Sequence, residues 1–426
     1  MAGNTGQTEP AVSGPQPPGI NFCAALGQPL MYAGPLGERS IADPTEIQRR
    51  VIPRLLEGES LVFRSATGTG KTFAYLLPLL ERLTLLLGEE PSLRGRPLLL
   101  IAAPTFELCS QIKNEADFLL KAAPMPVHTA LLIGSAAPGR QIDALKKERP
   151  EVIVGNPGRI LALARQAKLK LRDVRFLVLD EGDRLVADEL FSETREMVSL
   201  LKPGFLGVSC SATVPAKSRE RLFPLLGIPA GQKIVDDSAP DVLREKVEHW
   251  AFYSPEREKI GLLRSLLAAL EAAGGKGKKG RNGAKRAGAS KALIFTSSVY
   301  RVENTASRLR HYGLSAAGLS GAMDSKHRKE TLDAFRSGSI RFLVSSDLAA
   351  RGLDIDGISH VIALDVSEDR DVYLHRAGRT ARAGKRGVMV SIGTEGEMRR
   401  LAALEKSLGL IVYPKILYEG KVVKPE

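Results

Sequence analysis

The sequence has few of the features that mark secreted, disulfide-rich or membrane-spanning proteins. Its three cysteines, Cys23, Cys109 and Cys210, are far apart and lack the spacing of a zinc site or a disulfide framework. No apolar run approaches the roughly 20 residues that cross a bilayer. The first residues also lack the basic and apolar segments of a signal peptide. We therefore expect a cytoplasmic protein with reduced cysteines, no membrane contact and a flexible tail over residues 1–19.

Positive charge is in excess. The 426 residues include 61 lysines and arginines against 48 acidic residues, a net charge of +13. Such a balance favours a polyanionic partner, and nucleic acid is the leading candidate. Residues 274–290 carry several of these cations and no acid. Two interpretations of this segment remain open: a solvated loop, or a basic loop that binds phosphates.

Hydrophobic patterning indicates an α/β fold in two parts. The length suits two domains. Short runs rich in Val, Ile and Leu alternate with helical patterns, which predicts parallel sheets covered by helices on both faces. We predict five strands in each half. A polar, proline-containing stretch suggests the division: a first domain over residues 20–236, a linker over 237–247 and a second domain over 248–420.

Two short motifs carry the most chemical information. SATGTGKT at residues 65–72 is a glycine-rich turn ending in Lys71 and Thr72. In such a loop backbone N–H groups surround phosphate oxygens, the lysine reaches the β and γ phosphates, and the threonine hydroxyl reaches magnesium. DEGD at residues 180–183 follows an apolar run and supplies carboxylates. The pair, in this order, predicts hydrolysis of a nucleoside triphosphate.

Further motifs, read in order, resemble those of the DEAD-box RNA helicases of superfamily 2. The matching strings are ADPTEIQ (42–48), SATGTGKT, PTFEL (104–108), NPGR (156–159), DEGD, SAT (211–213), SSDLAARGLDI (345–355) and YLHRAGRTARAG (373–384). The resemblance implies two tandem RecA-like domains with a nucleotide cleft between them. It also implies ATP and Mg²⁺ as cofactors, RNA as the partner, and local unwinding of short duplexes.

The expected ATP site combines the phosphate loop with residues implied by the resemblance. The loop residues are Ser65, Ala66, Thr67, Gly68, Thr69, Gly70, Lys71 and Thr72. The Gln48 amide offers both a donor and an acceptor to adenine. Phe22 either stacks on the base or belongs to the core. Asp354 is similar to the family aspartate that contacts ribose.

Catalysis is expected to need both halves. Asp180 would hold Mg²⁺ through water together with Thr72, and Glu181 would polarise the attacking water. By resemblance, Arg379 and Arg382 are arginine fingers that stabilise charge on the γ-phosphate from across the cleft. Residues expected to couple nucleotide state to RNA state are Asp183, Ser211, Thr213 and His375, although His375 is equally well explained as a core histidine.

RNA contacts are expected to involve phosphate and sugar rather than bases. The candidates in the first half are Pro104, Thr105, Gly134, Pro157, Gly158 and Arg159, and those in the second half are Thr296, Gly321, Ser346 and Asp347. These groups are small and lie at turns, so binding should be largely independent of sequence. The residues do not identify protein partners.

Several positions depart from the family pattern. Phe106 replaces the arginine of PTREL, Ser135 a glycine, Ala381 the glycine of GRTGR, and Gly182 the alanine of DEAD. For Gly182 we expect extra backbone freedom and retained activity. Three functions stay open: an RNA-dependent ATPase and helicase, an ATP-gated RNA clamp with little unwinding, and a DNA-directed enzyme.

Overall fold

Two separate parallel sheets organise the chain. The computed structural model describes residues 18–26, 31–65, 69–134, 137–236, 245–274, 290–321, 323–350, 355, 357–381 and 386–425. Most of the predicted tail and of the basic loop 274–290 lies outside these ranges. Across the described part of the chain, no helix combines the length and apolar character needed to cross a bilayer.

The first sheet has seven parallel strands in the order β3-β4-β2-β5-β6-β1-β7. These strands are β1 (Leu61–Arg64), β2 (Leu99–Ala102), β3 (Thr129–Leu132), β4 (Val152–Gly155), β5 (Phe176–Asp180), β6 (Leu206–Ser211) and β7 (Val235–Asp236). The helices of this half are α1 (Pro18–Leu26), α2 (Ala33–Glu38), α3 (Glu46–Leu56), α4 (Lys71–Glu89), α5 (Phe106–Leu120), α6 (Pro138–Glu148), α7 (Pro157–Arg165), α8 (Gly182–Leu185), α9 (Asp188–Ser199) and α10 (Ala216–Leu225). Because all strands run the same way, their carboxyl ends share one edge of the sheet.

The second sheet repeats this design in the order β10-β11-β9-β12-β13-β8-β14. Its strands are β8 (Val247–Tyr253), β9 (Lys291–Phe295), β10 (Ala316–Leu319), β11 (Phe342–Ser345), β12 (Ile358–Ala363), β13 (Gly387–Gly393) and β14 (Val412–Pro414). Its helices are α11 (Lys259–Gly274), α12 (Val299–His311), α13 (Ser325–Ser337), α14 (Asp347–Ala350), α15 (Arg370–Ala377) and α16 (Glu395–Leu408). A short antiparallel hairpin, β15 (Ile416–Tyr418) with β16 (Lys421–Val423), follows.

Each sheet separates two hydrophobic clusters. On β1, Val62 belongs to one cluster and Phe63 to the other, because successive side chains of a strand point to opposite faces. On β9, Leu293 and Ile294 divide in the same way. Helices cover both faces of each sheet. The predicted α/β architecture, two parallel sheets each covered by helices, is confirmed.

The ten predicted strands all occur, with ends shifted by one or two residues, but the sequence interpretation missed others. It overlooked β3, β7, β8 and β14, three of which are sheet edges. Val247, the last residue of the predicted linker, pairs with Gly387 as the first residue of β8. Leu417 and Val422 of the hairpin, on either side of the predicted domain end at residue 420, pack against the core of the second sheet.

Gly155 provides a test of how tightly the first sheet is packed. A Cβ built on Gly155 would lie well inside van der Waals contact with the backbone oxygen of Leu132 on β3. Gly155→Ala should therefore lower the free energy of unfolding by about 1–3 kcal/mol. Gly139→Ala is the matched control, because a Cβ at this helical site meets no atom within 4 Å. Equal stability of both variants in denaturant titrations would contradict this packing.

Candidate nucleotide and nucleic-acid site

The phosphate loop joins β1 to α4 at the carboxyl edge of the first sheet. Gly70 has φ of +91°, a left-handed conformation that glycine adopts without strain. The Lys71 ammonium donates a hydrogen bond to the carbonyl of Ser65 at 2.8 Å, and the Ser65 and Thr69 hydroxyls are hydrogen-bonded to each other. Thr72 is half-buried. Ala66, Thr67 and Gly68 lie outside the described residues.

The Gln48 side chain packs against the phosphate loop at Gly70. Its Nε2 donates to the carbonyl of Gly70 at 3.0 Å, and its Oε1 accepts from the Thr45 N–H at 2.9 Å. The second bond closes a capping box at the start of α3. The amide thus touches the phosphate loop directly. Each of its two polar atoms retains capacity for one more hydrogen bond.

Phe22 belongs to the hydrophobic core, which is one of the two roles that the sequence left open. Its ring is completely buried in the core with Tyr32, Leu36 and Ile47. A fully enclosed ring has no free face on which a base could stack. The structure therefore supports the core role, and stacking on the base stays an untested prediction.

Asp180 ends β5 and is held in place by two neighbours that the sequence interpretation missed. The Tyr75 hydroxyl donates to Oδ2 at 2.8 Å, and the Cys210 thiol lies 3.1 Å from Oδ1. Burial raises the pKa of both the Tyr75 hydroxyl and the Cys210 thiol, so both keep their protons and remain donors. Tyr75 lies one turn after Lys71 on α4, and Cys210 pairs with Asp180 in the sheet.

Glu181 is the most unusual acid of the site. Its backbone has φ of +51°, a left-handed conformation that is uncommon for a residue other than glycine. Its Oε2 is buried and has no hydrogen-bond partner in the described part of the chain. Burial raises the pKa of the Glu181 carboxyl, and the positive charge of Arg379 partly offsets that rise. The free oxygen is suited to polarising a water molecule.

Asp183 makes the contacts that were predicted for the SAT motif. The Ser211 hydroxyl donates to Oδ1, and the Thr213 hydroxyl donates to Oδ2 at 2.8 Å. The hydrogen bonds are confirmed. They tie the DEGD segment to the end of β6, the neighbouring strand.

The second half meets this site through the segment that contains α15. Arg379 is buried, at 5% exposure, and its charge acts on Glu181. Burial raises the pKa of Asp371, and Asp183 of the first half raises it further. His375 is half-buried on the same helix. Arg382 and Asp354 lie outside the described residues.

Candidate nucleic-acid contacts in the first half form a row. They follow β2, β4 and β3, which are adjacent in the sheet. The Arg159 guanidinium donates to the Gly134 carbonyl at 2.9 Å, while Asn156 donates to the Ala103 carbonyl at 2.9 Å. The Thr105 hydroxyl accepts from the Leu108 N–H and so caps α5. Pro104 and Gly158 are half-buried and Pro157 is buried.

The second half has a matching row after β10, β11 and β9. Gly321 is exposed, whereas Thr296 and Ser346 are buried. Asp347 is engaged by a neighbour within its own half. Both of its oxygens accept from Arg376 at 2.7 Å, in a network that includes Asp365. Asp347 therefore supports Arg376, and its negative charge disfavours a contact with phosphate, while a contact with a sugar hydroxyl stays a prediction.

One ion pair connects the two halves directly. The Arg328 guanidinium on α13 donates to the Glu107 carboxylate on α5, and both side chains are mostly buried. Arg328 also donates to the Ala349 carbonyl at 2.8 Å. Glu107 lies inside the PTFEL motif, but no single-sequence signal pairs it with a residue 221 positions away.

Comparisons with known proteins agree with this geometry. The DEAD/DEAH box helicase model matches residues 45–222, and the helicase conserved C-terminal domain model matches residues 278–384. The DEAD-box ATP-dependent RNA helicase CshC of Bacillus cereus is 34% identical over 380 residues, 89% of this chain and 90% of the relative. The ATP-dependent RNA helicase RhlB of Pseudomonas syringae is 32% identical over 366 residues, covering 86% and 87%.

This chain belongs to the DEAD-box helicase family. It is thus an ATP-hydrolysing enzyme. Among solved structures, S. cerevisiae Dbp5 bound to RNA and ADP BeF3 has a TM-score of 0.77 at 23% identity, covering 92% of this chain and 96% of that one. Mss116p bound to ssRNA and AMP-PNP also has a TM-score of 0.77, at 22% identity, with 91% and 78% covered. These two likenesses support the fold.

Gly182 in this DEAD-box helicase has a steric role that the sequence did not predict. A Cβ at Gly182 would overlap the Ser209 hydroxyl, which donates to the Leu179 carbonyl at 3.1 Å. Extra backbone freedom at Gly182 stays a prediction, and this overlap is a second reason for a residue without a Cβ at this position. The Ser209 hydroxyl occupies the space that an alanine methyl at residue 182 would need.

A double-mutant cycle tests this account. Gly182→Ala should cost about 1–3 kcal/mol of stability and lower ATP turnover, because the overlap displaces Ser209 or the segment that carries Glu181. Ser209→Ala alone should cost about 1 kcal/mol for its hydrogen bond. Combined, the two changes should recover most of the loss in thermal unfolding and ATPase assays. Strictly additive losses would show that the two residues do not compete for space.

Proposed function

We propose that this chain is an RNA-stimulated ATPase that separates short RNA duplexes. The arrangement that carries the proposal is the position of Arg379 of the second half, close enough for its charge, like that of Lys71, to favour the ionised form of Glu181 in the first half. A site divided in this way is complete only when the halves close on each other. Relatives named as ATP-dependent RNA helicases support RNA as the nucleic acid.

The roles of the ATP site follow from its geometry. Lys71 would leave the Ser65 carbonyl for the β and γ phosphates, and Arg379 would stabilise the charge that develops on the γ-phosphate. We propose Thr72 and Asp180 as the residues that hold Mg²⁺. They fit this ion, because Mg²⁺ prefers oxygen ligands and keeps several waters with only one or two carboxylates. When bound, it neutralises phosphate charge.

We propose DEGD as this chain's form of the DEAD motif, with Glu181 orienting the attacking water. Its buried oxygen, which has no partner among the described residues, supports that role. Asp183 would couple the ATP site to RNA through Ser211 and Thr213. By resemblance, we propose that Arg382 is a second arginine finger and that Asp354 contacts the ribose.

RNA would lie across the two rows of turns, one on each sheet. The first row supplies backbone groups around Pro104, Gly134 and Pro157, and the second supplies groups around Thr296 and Gly321. Contacts of this kind reach phosphates and sugars, so binding would be largely independent of base sequence.

We also propose that the two domains divide near residues 236–247. We further propose that the protein is located in the cytoplasm.

ATP turnover with and without single-stranded RNA tests the proposed function. We expect RNA to stimulate turnover, and Lys71→Ala and Glu181→Gln each to reduce it by more than about 100-fold. Arg379→Ala should cost about 1000-fold or more. Lys146→Ala and Glu189→Gln, at exposed sites on α6 and α9, should leave it unchanged. Equal wild-type rates with and without RNA would refute the proposed coupling.

Strand displacement separates unwinding from clamping. We expect ATP-dependent release of a short RNA strand by the wild type and none by Glu181→Gln. RNA-stimulated turnover without release would instead identify an ATP-gated clamp. Equal stimulation by single-stranded DNA would point to a DNA-directed enzyme.

The ion pair between Glu107 and Arg328 tests closure independently of the ATP site. Glu107→Gln and Arg328→Gln should each raise the RNA concentration needed for half-maximal ATPase, because each removes a largely buried partner of the closed form. In the double variant the losses should be less than additive. The exposed pair of Arg399 and Glu395 is the control. Fully additive effects would show that the ion pair does not support closure.

A further inference from the structure

Five arginines lie together at the amino end of the first sheet, opposite the ATP site. They are Arg94, Arg96, Arg149, Arg172 and Arg175, called here the basal arginine patch, and all five are exposed. Arg94 and Arg96 precede β2, Arg149 precedes β4, and Arg172 and Arg175 precede β5. These three strands are neighbours in the order β4-β2-β5. Neither the ATP site nor the rows of turns uses these residues.

Contacts within the patch show that its members are adjacent. Arg96 Nη1 lies 3.5 Å and Arg172 Nε lies 3.9 Å from the same Asp173 oxygen. The Arg149 guanidinium lies over the turn between Arg94 and Arg96, with its Nε 2.9 Å from the place of a Cβ on Gly95. The Arg175 N–H donates to the Leu98 carbonyl at 2.8 Å.

Asp173 and Glu151 contact the patch and are themselves little exposed, whereas Glu148, next to Arg149, is exposed. Asp173 is 17% exposed at its side chain, against 67% for Arg172. Glu151 is buried, and its carboxylate accepts from the backbone N–H groups of Gly95 at 2.7 Å and His128 at 2.9 Å. Two further cations, Lys168 and Lys170, are exposed in the segment that leads to Arg172.

A cluster of exposed guanidinium groups fits a phosphodiester backbone. Arginine presents donors in a planar fork that matches two phosphate oxygens, whereas lysine acts as a point charge. The strand β5 separates Arg175 from Asp180, so about 15 Å of sheet lies between the patch and the carboxyl edge. A ligand at the patch would therefore not compete with ATP.

We propose that the basal arginine patch binds the phosphate backbone of RNA that extends beyond the strand held between the two sheets. This inference rests on the proposed function, since it takes RNA as the substrate. It predicts that the enzyme binds a folded or long RNA more tightly than a short single strand. The added affinity is electrostatic, so it falls as the salt concentration rises.

The test compares two RNAs with one triple variant. One RNA is a single strand of about ten nucleotides, and the other joins the same strand to a hairpin of about 20 base pairs. In Arg149→Gln/Arg172→Gln/Arg175→Gln, affinity for the hairpin-bearing RNA should fall about 3- to 10-fold at moderate salt. The slope of log affinity against log salt should decrease by about 1 for each phosphate that the variant no longer neutralises. Binding of the short strand, and the ATPase it stimulates, should not change.

A matched control removes three exposed cations that are each paired with a carboxylate elsewhere: Lys217→Gln/Arg310→Gln/Arg399→Gln. It should bind both RNAs like the wild type. An equal loss in the control, or unchanged hairpin binding in the patch variant, would overturn the proposal. The single changes Arg149→Gln and Arg172→Gln give the same test at smaller scale if the triple variant unfolds at lower temperature.

The two proposals fail in different ways. If the short strand does not stimulate wild-type ATPase, the proposed function is wrong. If it does, and the patch variant still binds the hairpin-bearing RNA with wild-type affinity and salt slope, only the patch inference is wrong.

Discussion

A buried carboxylate that needs a cation from the other half of the chain is the constraint on which the site depends. The Glu181 carboxyl is buried, one of its oxygens has no partner among the described residues, and the charge of Arg379 favours its ionised form. Without that cation, burial alone would drive the carboxyl toward its protonated state, in which it is a poor base. In the proposed mechanism, the same closeness of the halves that favours an ionised Glu181 would bring Arg379 to the γ-phosphate, so one movement would both prepare the base and complete the site.

Interactions within the first half hold the remaining groups ready for that movement. Tyr75 and Cys210 orient Asp180, Gln48 supports Gly70, and the SAT hydroxyls hold Asp183. Asp180 and Asp183 are thus each fixed by donors on a neighbouring element. Gly182 and Ser209 also pack closely, since a Cβ at Gly182 would overlap the Ser209 hydroxyl. Ala381 has φ of +56°, a geometry that suits the family glycine it replaces.

The sequence predicted what local pattern determines. Apolar runs predicted ten strands, and short motifs predicted the phosphate loop, the carboxylates of DEGD and the contact of Asp183 with Ser211. It failed where partners are distant in the chain or where edges lack a strong pattern. The strand β3 at one sheet edge, the role of Asp347 under Arg376 and the pair of Glu107 with Arg328 depend on tertiary packing. Phe22 shows the same limit, because stacking and core burial look alike in a sequence.

The most direct test of the central claim is a distance between the halves during turnover. Spin labels on cysteines introduced at Glu220 and Glu330, which are exposed, would report it, and the three native cysteines are buried and should react slowly. The account predicts one short, narrow distance distribution only when RNA and a non-hydrolysable ATP analogue are both present. Rapid ATP turnover under conditions in which the distance stays long and broad would contradict it.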